Sequence, residues 1–340
     1  MMRRCLFRCI FMLAFSPVIL LHSQETARGN TAAIFPLTLV FEAAKQAEEG
    51  SDAGFGVGLW QPDWPLELPP DAFRAESGEL SKCTIEWEGF PLRLSLDTEG
   101  RPEEFPLMTN GSMAQAVVAY RGLSEVKEIT LNFTSGGEVF KLEFPESFSL
   151  GNYSESFPFY ARASRGNAWY SINFSGSVNE ILETWYDEEG NALGAFGFIF
   201  ADTGNEKRIR KYWNYSDPDS VREFYYDSRG LVTELVGPEG VFRVGYFRED
   251  LPRYWESGTQ RAGNPSVQPN GMAVSLQWDE GDFLVRLLGN AGQFVDNRYE
   301  YTLDEMGNWT ERKETKMVWN FDLLLPLPGT TFKRVLEYRK

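Results

Sequence analysis

Histidine and cysteine are scarce in this sequence of 340 residues, which has one His and three Cys. His22, Cys5 and Cys9 all lie near the amino terminus, so Cys83 is the single residue of either type beyond it. Ser–His–Asp and Cys–His catalysis and histidine-ligated zinc, copper or iron all need an imidazole. The remainder of the chain therefore excludes these chemistries and an internal disulfide. We expect Cys83 to be a buried small hydrophobe, with a reactive thiol as the alternative.

Basic residues are also few relative to acidic ones. The chain has 33 Lys and Arg against 49 Asp and Glu, which gives a formal net charge of −16. Because affinity for nucleic acid depends mainly on Lys and Arg contacts to phosphate, this balance argues against a nucleic-acid partner. A hydrophobic content of 42% and an aromatic content of 15% exclude a disordered chain.

The one marked apolar run is too short to span a bilayer. It covers Cys9–Leu21 and follows the basic residues Arg3, Arg4 and Arg8. This pattern is typical of a secretory signal over residues 1–23, with cleavage after Ser23; an uncleaved anchor is the alternative. We therefore predict an exported protein that is periplasmic, at the cell surface or extracellular, with no transmembrane segment after cleavage.

Residues 24–80 form a proline-rich lead-in to the rest of the chain. Leu37–Glu49 predicts either one helix stopped by Gly50 or a strand running into a helix. Four prolines between Pro62 and Pro70 then exclude regular structure. Trp60 and Trp64 in this segment are candidate binding aromatics, although packing of the loop onto a sheet is the alternative.

From residue 81 onward the pattern is almost entirely that of strands. Apolar residues alternate with polar ones, which is typical of half-buried antiparallel strands. Residues 112–120 are ambiguous between helix and strand. A Ser-, Gly- and Asn-rich stretch at 145–168 suggests a boundary, so we predict a first β subregion at 81–165 and a second region at 166–340.

Asp-x-x-Gly turns punctuate these strands and supply the residues that a hairpin turn requires. The four copies have Asp97, Asp187, Asp227 and Asp304 at their first positions and Gly100, Gly190, Gly230 and Gly307 at their last. A shorter form, Asp279-Glu-Gly281, precedes another strand. Turns recur roughly every 20–30 residues, which favours stacked hairpins that are each too small to bury their own face.

At these turns the chain resembles the rearrangement-hotspot, or YD-repeat, family. Tyr186-Asp187-Glu-Glu-Gly190-Asn191 and Tyr226-Asp227-Ser-Arg-Gly230 match its signature, and the resemblance covers about residues 175–340. It implies a short secreted bacterial protein without a toxin domain. It further implies an all-β, antiparallel hairpin-repeat array that forms an extended or wrapped sheet, in which the turn residues are structural.

The sequence favours a non-catalytic protein that binds a protein or glycan of the cell envelope through an exposed sheet face. A carboxylate-dependent glycan hydrolase is the alternative, because Asp and Glu are the only abundant acid–base groups. Residues 214–219 supply oxygen ligands but lack the remaining features of a calcium loop, so a plain turn is favoured. We predict no cofactor and no metal. Charged residues on the outward-facing positions argue against a transmembrane β-barrel.

Overall fold

The computed structural model describes an all-β, antiparallel fold with one helix. The structure describes residues 34–53, residue 73 and residues 80–339. Within the last range it leaves out the connections at 88, 110–111, 123–124, 135–136, 147, 151–157, 204–205, 239, 249–250, 259–272 and 291–293. All of them belong to one compact unit, Ala33–Lys340. The predicted signal and the tryptophans Trp60 and Trp64 lie outside the described residues.

One helix and twenty strands make up the described part of the chain. The helix, α1, covers Leu37–Ala53. The strands are β1 Leu80–Trp87, β2 Phe90–Leu96, β3 Pro102–Thr109, β4 Ser112–Arg121, β5 Glu125–Phe133, β6 Val139–Glu143, β7 Phe159–Arg165, β8 Ala168–Ser177, β9 Glu180–Tyr186, β10 Ala192–Thr203, β11 Glu206–Asn214, β12 Asp217–Tyr226, β13 Val232–Gly237, β14 Gly240–Arg248, β15 Leu251–Gly258, β16 Ala273–Trp278, β17 Leu284–Asn290, β18 Phe294–Leu303, β19 Trp309–Asn320 and β20 Leu323–Tyr338.

The sheet closes on itself. Each strand pairs antiparallel with the next one along the chain, and β1 also pairs antiparallel with β20, so that Cys83 lies opposite Leu336 and Ile85 opposite Arg334. Because the first and last strands are hydrogen-bonded, neither is a free edge. The fold is a closed 20-strand antiparallel barrel.

This closure corrects the prediction made from the turns. The resemblance to the YD-repeat family, and with it the open or wrapped repeat array, is wrong, because strands at opposite ends of the described chain pair with each other. An Asp-x-x-Gly turn fixes the local reversal between two neighbouring strands. It contains no information on whether the last strand returns to the first. The all-β, antiparallel part of the prediction is confirmed.

The turns themselves show why the sequence uses aspartate and glycine. In each Asp-x-x-Gly turn the Gly N–H donates to the Asp carbonyl at 3.0–3.1 Å, and the Asp N–H donates to the carbonyl four residues later. Gly190, Gly230 and Gly307 each have φ of 84°, in the left-handed region that glycine occupies most easily. At Asp279 the same turn ends on Asp282, with φ of 62°, rather than on Gly281. The shorter turn predicted at this point is therefore a full four-residue turn.

Along most of the strands, the buried side chains are apolar and point into the barrel, while the outward side chains are mostly polar. On β8, for example, Tyr170, Ile172 and Phe174 are buried while Ser171 and Asn173 are exposed. The second half of the barrel has its own apolar cluster, formed by Val244, Val274, Leu276, Leu284, Leu287 and Tyr299. Buried apolar side chains thus form the core of the described barrel.

Helix α1 lies within this interior. Leu37, Val40, Phe41, Ala44 and Ala47 all have zero exposure. The Phe41 ring lies 5.3–6.5 Å, centroid to centroid, from aromatic rings near or on β6, β7 and β8, which belong to Phe144, Phe148, Phe159 and Phe174. The described side chains of the first part of α1 are therefore part of the core, and the lead-in at residues 24–80 stays a prediction about domain organisation.

Two ambiguous segments have defined structures. Residues 37–49 are helical, and the helix continues through Gly50 to Ala53; residues 112–120 belong to β4. The hydrogen-bonded ladder continues from β6 to β7, with Phe140 opposite Arg165, across the predicted boundary at 145–168. The division into regions 81–165 and 166–340 stays a prediction about domain organisation.

Candidate functional site on the outward face of strands β7 to β11

Glu183 is a buried carboxyl group that holds helix α1 in the barrel. Its side chain accepts hydrogen bonds from the backbone N–H groups of Leu37 and Thr38 at 2.9 and 3.0 Å, from the Thr38 hydroxyl at 3.0 Å and from the Trp185 indole at 2.8 Å. These are the first free N–H groups of the helix, which carry partial positive charge. Burial raises the pKa of Glu183 to about 7, against the opposing effect of these four hydrogen bonds. Its contacts assign it to anchoring the helix.

Glu183 was not predicted as a special residue, although the sequence of β9 contains a signal for it. Ile181, Glu183 and Trp185 occupy alternate positions of β9 and therefore share one face. A glutamate between two large apolar residues on a core-facing row needs a buried partner. That pattern could have marked Glu183 as a special residue, but the sequence could not identify α1 as the partner.

Buried polar groups that were not predicted from the sequence lie next to the seam between β1 and β20. Arg312 lies over the rings of Tyr299 and Phe332, at 4.4 and 4.9 Å from their centroids, and Arg334 lies 3.9 Å from that of Trp309. Such cation–π contacts strengthen when both groups are desolvated. These residues join β18, β19 and β20 next to the strand pair that closes the barrel.

Cys83 lies on β1 at this seam. It is fully buried, as the sequence predicted. Burial raises the pKa of the Cys83 thiol to about 11, although the nearby Arg334 guanidinium acts in the opposite direction. The thiolate is the reactive form, so this environment disfavours thiol chemistry.

The turn acids are engaged in their own turns. Asp304 Oδ1 accepts the N–H groups of Met306 and Asn308 at 2.9 Å, and the Tyr338 hydroxyl donates to Oδ2. Partial burial acts to raise the pKa of Asp304, but these hydrogen bonds hold it below the usual range. The pKa values of Asp97, Asp187 and Asp227 are lowered as well. A general acid needs the opposite shift, so these acids do not provide the raised pKa that the hydrolase alternative requires.

The described residues offer neither a metal site nor a membrane-spanning helix. Within the described ranges, no group of three or more His, Cys, Asp or Glu side chains could hold a metal ion. Asn214 and Asp217, in the segment weighed for calcium, accept backbone N–H groups of Ser216 and Asp219 within a turn. Among the helices that the structure describes, none is long and apolar enough to cross a membrane.

The outward face of β7 to β11 combines exposed aromatic rings with small polar side chains. We call this surface the aromatic face and define it by Tyr160, Trp169, Asn173, Ser175, Thr184, Leu182, Trp213 and Tyr215. In the strand register Tyr160 lies opposite Asn173, which lies opposite Thr184. A second row across β8 to β11 consists of Ser175, Leu182, Gly197 and Trp213, each opposite the next. Aromatic side chains therefore stand on β7 and β11, with hydroxyl and amide groups between them.

Gly197 lets the Trp213 indole lie against the sheet. A Cβ atom at position 197 would lie 2.3 Å from the Trp213 ring, a separation that real Cβ atoms do not show. The Trp213 ring also contacts Tyr215 edge-on, with centroids 5.6 Å apart. Tyr160 and Tyr215 are 69% and 55% exposed. With neighbouring strands about 4.8 Å apart, the four strand spacings from β7 to β11 cover about 19 Å.

A second glycine–aromatic pair occurs elsewhere on the sheet. Gly245 on β14 lies opposite Tyr254 on β15, and a Cβ at position 245 would lie 2.1 Å from that ring. Rings that cover strand glycines also stabilise a sheet by restoring buried apolar surface. The Gly245–Tyr254 pair therefore provides an internal comparison for the Gly197–Trp213 pair.

Comparisons with known proteins give little beyond this description. No protein-family model matches the chain, and no curated protein matches it. Among solved structures, a porin-like protein from Bacteroides uniformis ATCC 8492 matches with a TM-score of 0.31 and 11% identity, over 76% of this chain and 98% of that one. A likeness this weak carries no argument about function.

Proposed function

We propose that this protein is an exported, non-catalytic binding module that holds an envelope glycan on its aromatic face. The observation that carries the proposal is the Trp213 indole lying flat over Gly197, beside the exposed Tyr215. A flat ring on a sheet surface offers its outer face for stacking, and the neighbouring amide and hydroxyl groups offer hydrogen bonds in several directions.

The polarity of the two sheet faces supports a role at the surface of the barrel. Most of the described strands bury their apolar side chains on the inward face, where helix α1 packs against aromatic rings. Transmembrane barrels have the reverse arrangement, with an apolar band outside and a polar lumen. A ligand is therefore expected to meet the outward face of the sheet.

The structure offers less support for the hydrolase alternative. A glycosidase requires two carboxyl groups about 5–10 Å apart in a cleft, one of them with a raised pKa. The pKa of Glu183 is raised, but this carboxyl group is fully buried and accepts hydrogen bonds from the start of helix α1. We therefore retain the non-catalytic assignment as the proposal.

Native-gel retardation by soluble polysaccharides and by fragmented peptidoglycan tests this proposal. Trp213→Ala removes the stacking ring, and the loss of one such contact predicts roughly tenfold weaker binding. Tyr254→Ala is the matched control, because it removes an equivalent ring from Gly245 and leaves the aromatic face intact. Equal binding by the wild-type protein and the Trp213→Ala variant, or equal weakening by the two variants, would contradict the proposal.

A further inference from the structure

The hairpin between β19 and β20 extends beyond its neighbouring strands. The register of β18 with β19 ends at Asn297 opposite Lys316, and that of β1 with β20 covers only Arg334–Tyr338. Residues 317–320 pair with residues 323–326, from Met317 opposite Pro326 to Asn320 opposite Leu323, and residues 327 and 328 pair with residues 316 and 315. We call residues 317–328 the apolar ribbon.

The apolar ribbon exposes large hydrophobic side chains. Asp322 is its one charged residue. Trp319, Phe321 and Leu323 are 57%, 96% and 65% exposed, and Leu325 and Leu327 are exposed as well. Contiguous exposed apolar surface of this kind marks an interaction site.

Both faces of the ribbon are apolar. In the observed register Trp319 lies opposite Leu324, next to the pair of Met317 and Pro326, and these share one face. Val318 opposite Leu325, and Leu323, lie on the other face. A protein groove covers one face of a strand pair, whereas a lipid layer surrounds both. Because both faces of the ribbon are apolar, a lipid surface is favoured over a protein groove.

The tip of the ribbon carries an energetically unfavourable residue. Phe321 has φ of 55°, in the left-handed region that is uncommon for a bulky residue, and its ring is almost wholly exposed. A glycine at this position would remove both the backbone strain and the exposed apolar ring. Strained, exposed residues of this type are concentrated at sites that contact ligands or partners, so the ring at position 321 has a role outside the fold.

The edge of the ribbon is poorly suited to pairing with another strand. Asn320 and Leu323 flank a two-residue loop, so the register directs the backbone nitrogens of residues 324, 326 and 328 away from β19. Two of these are Pro326 and Pro328, which have no N–H to donate. Proline on an edge opposes strand addition by a second copy. It also reduces the number of polar groups that would lose water on entering an apolar layer.

Length and charge match a zwitterionic lipid surface. The five residue spacings from Lys316 to Phe321 span about 17 Å, so the tip can reach the acyl chains while the base stays among the headgroups. At the base, Lys313 and Lys333 pair with Glu311, and Lys316 pairs with Glu314. This base carries both signs of charge, as zwitterionic headgroups do, whereas the net charge of −16 opposes anionic lipids.

We propose that the apolar ribbon inserts its Trp319–Phe321 tip into a zwitterionic lipid surface. The aromatic rings lie among the acyl chains nearest the headgroups, a location that Trp favours in membrane proteins. The paired Lys and Glu side chains at the base remain at headgroup level. The barrel stays outside the lipid and is tethered by one hairpin.

Quenching of tryptophan fluorescence by vesicles of brominated phosphatidylcholine tests this insertion in the full chain. The sequence has no Trp before Trp60, so the amino-terminal apolar run contributes no signal. The expected result is quenching by the wild-type protein that is lost in Trp319→Phe, which keeps the tip apolar. Trp169→Phe, on the aromatic face, is the matched control and is expected to retain the quenching.

Phe321→Gly provides a second, independent variant. This variant relieves the backbone strain and removes the ring. It is expected to fold at least as well as the wild-type protein and to bind vesicles about tenfold more weakly. Equal quenching in the wild-type protein and Trp319→Phe would overturn the proposal. It would also be overturned by a lipid-free dimer in sedimentation that Phe321→Gly dissociates, or by tighter binding to anionic than to zwitterionic vesicles at low salt.

Discussion

Glu183 Oε2 accepts hydrogen bonds from both the backbone N–H and the hydroxyl of Thr38, 145 positions earlier in the sequence. This contact joins the start of helix α1 to strand β9 of the barrel. It combines a helix cap with a buried tertiary contact, since the same carboxyl group also accepts the Leu37 N–H and the Trp185 indole N–H. Glu183 thus links the one described helix to the barrel wall.

Glu183→Gln is expected to destabilise the protein by roughly 1–3 kcal/mol. The amide offers one acceptor oxygen, and its NH₂ group faces N–H donors of the helix start or of Trp185, which leaves buried donors without acceptors. Urea unfolding followed by circular dichroism measures the loss. Glu180→Gln, at an exposed position of the same strand, is the matched control. Equal stability of the wild-type protein and Glu183→Gln would show that the cap contributes nothing.

Stability is expected to fall as the pH rises between about 4.5 and about 7. Burial raises the folded-state pKa of Glu183 to about 7 from the ordinary value of 4.5. Within this window the unfolded chain releases the proton while the folded chain keeps it, so deprotonation favours unfolding. The two pKa values correspond to about 3 kcal/mol over the window. A series of urea titrations from pH 4.5 to 8 measures this slope.

The Glu183→Gln variant identifies the source of this pH dependence. It lacks the titrating group, so its stability should change little over the same window. The lowered pKa values of the turn aspartates contribute at lower pH, below their ordinary value of 3.8. A wild-type slope of the opposite sign, or a slope that persists in Glu183→Gln, would contradict the assignment to this carboxyl group.

Asp304→Ala is expected to cost about 1 kcal/mol more than Asp187→Ala. Both substitutions remove a side-chain acceptor of a hairpin turn, but Asp304 Oδ2 accepts the Tyr338 hydroxyl of β20, whereas Asp187 Oδ2 accepts the exposed Asn191 amide of its own turn. A hydrogen bond to a charged group contributes more than one between neutral groups. Thermal and urea unfolding of the two variants, compared side by side, measure the difference. Equal losses would show that the contact to Tyr338 adds no stability.

Local features of this protein were predictable from the sequence. Alternation of apolar and polar residues predicted antiparallel strands, because successive side chains of a strand point to opposite faces. The Asp-x-x-Gly turns followed from the hydrogen-bonding capacity of aspartate and the left-handed conformation open to glycine. The aromatic face was anticipated only as an exposed sheet face of unspecified position, because the residue that makes room for Trp213 is a glycine on a different strand.

Closure of the barrel and the position of the helix were decided only by the tertiary structure. The pairing of Cys83 with Leu336 joins positions that no local pattern relates, and a hairpin turn has the same chemistry in an open sheet as in a closed one. Likewise, the sequence of α1 permits a helix, but its burial depends on an apolar space that twenty strands create together. Local conformation follows from steric contacts and hydrogen bonds between residues that are close in sequence. Closure depends on contacts between the two ends of the chain, and these exist only once the whole sheet has formed.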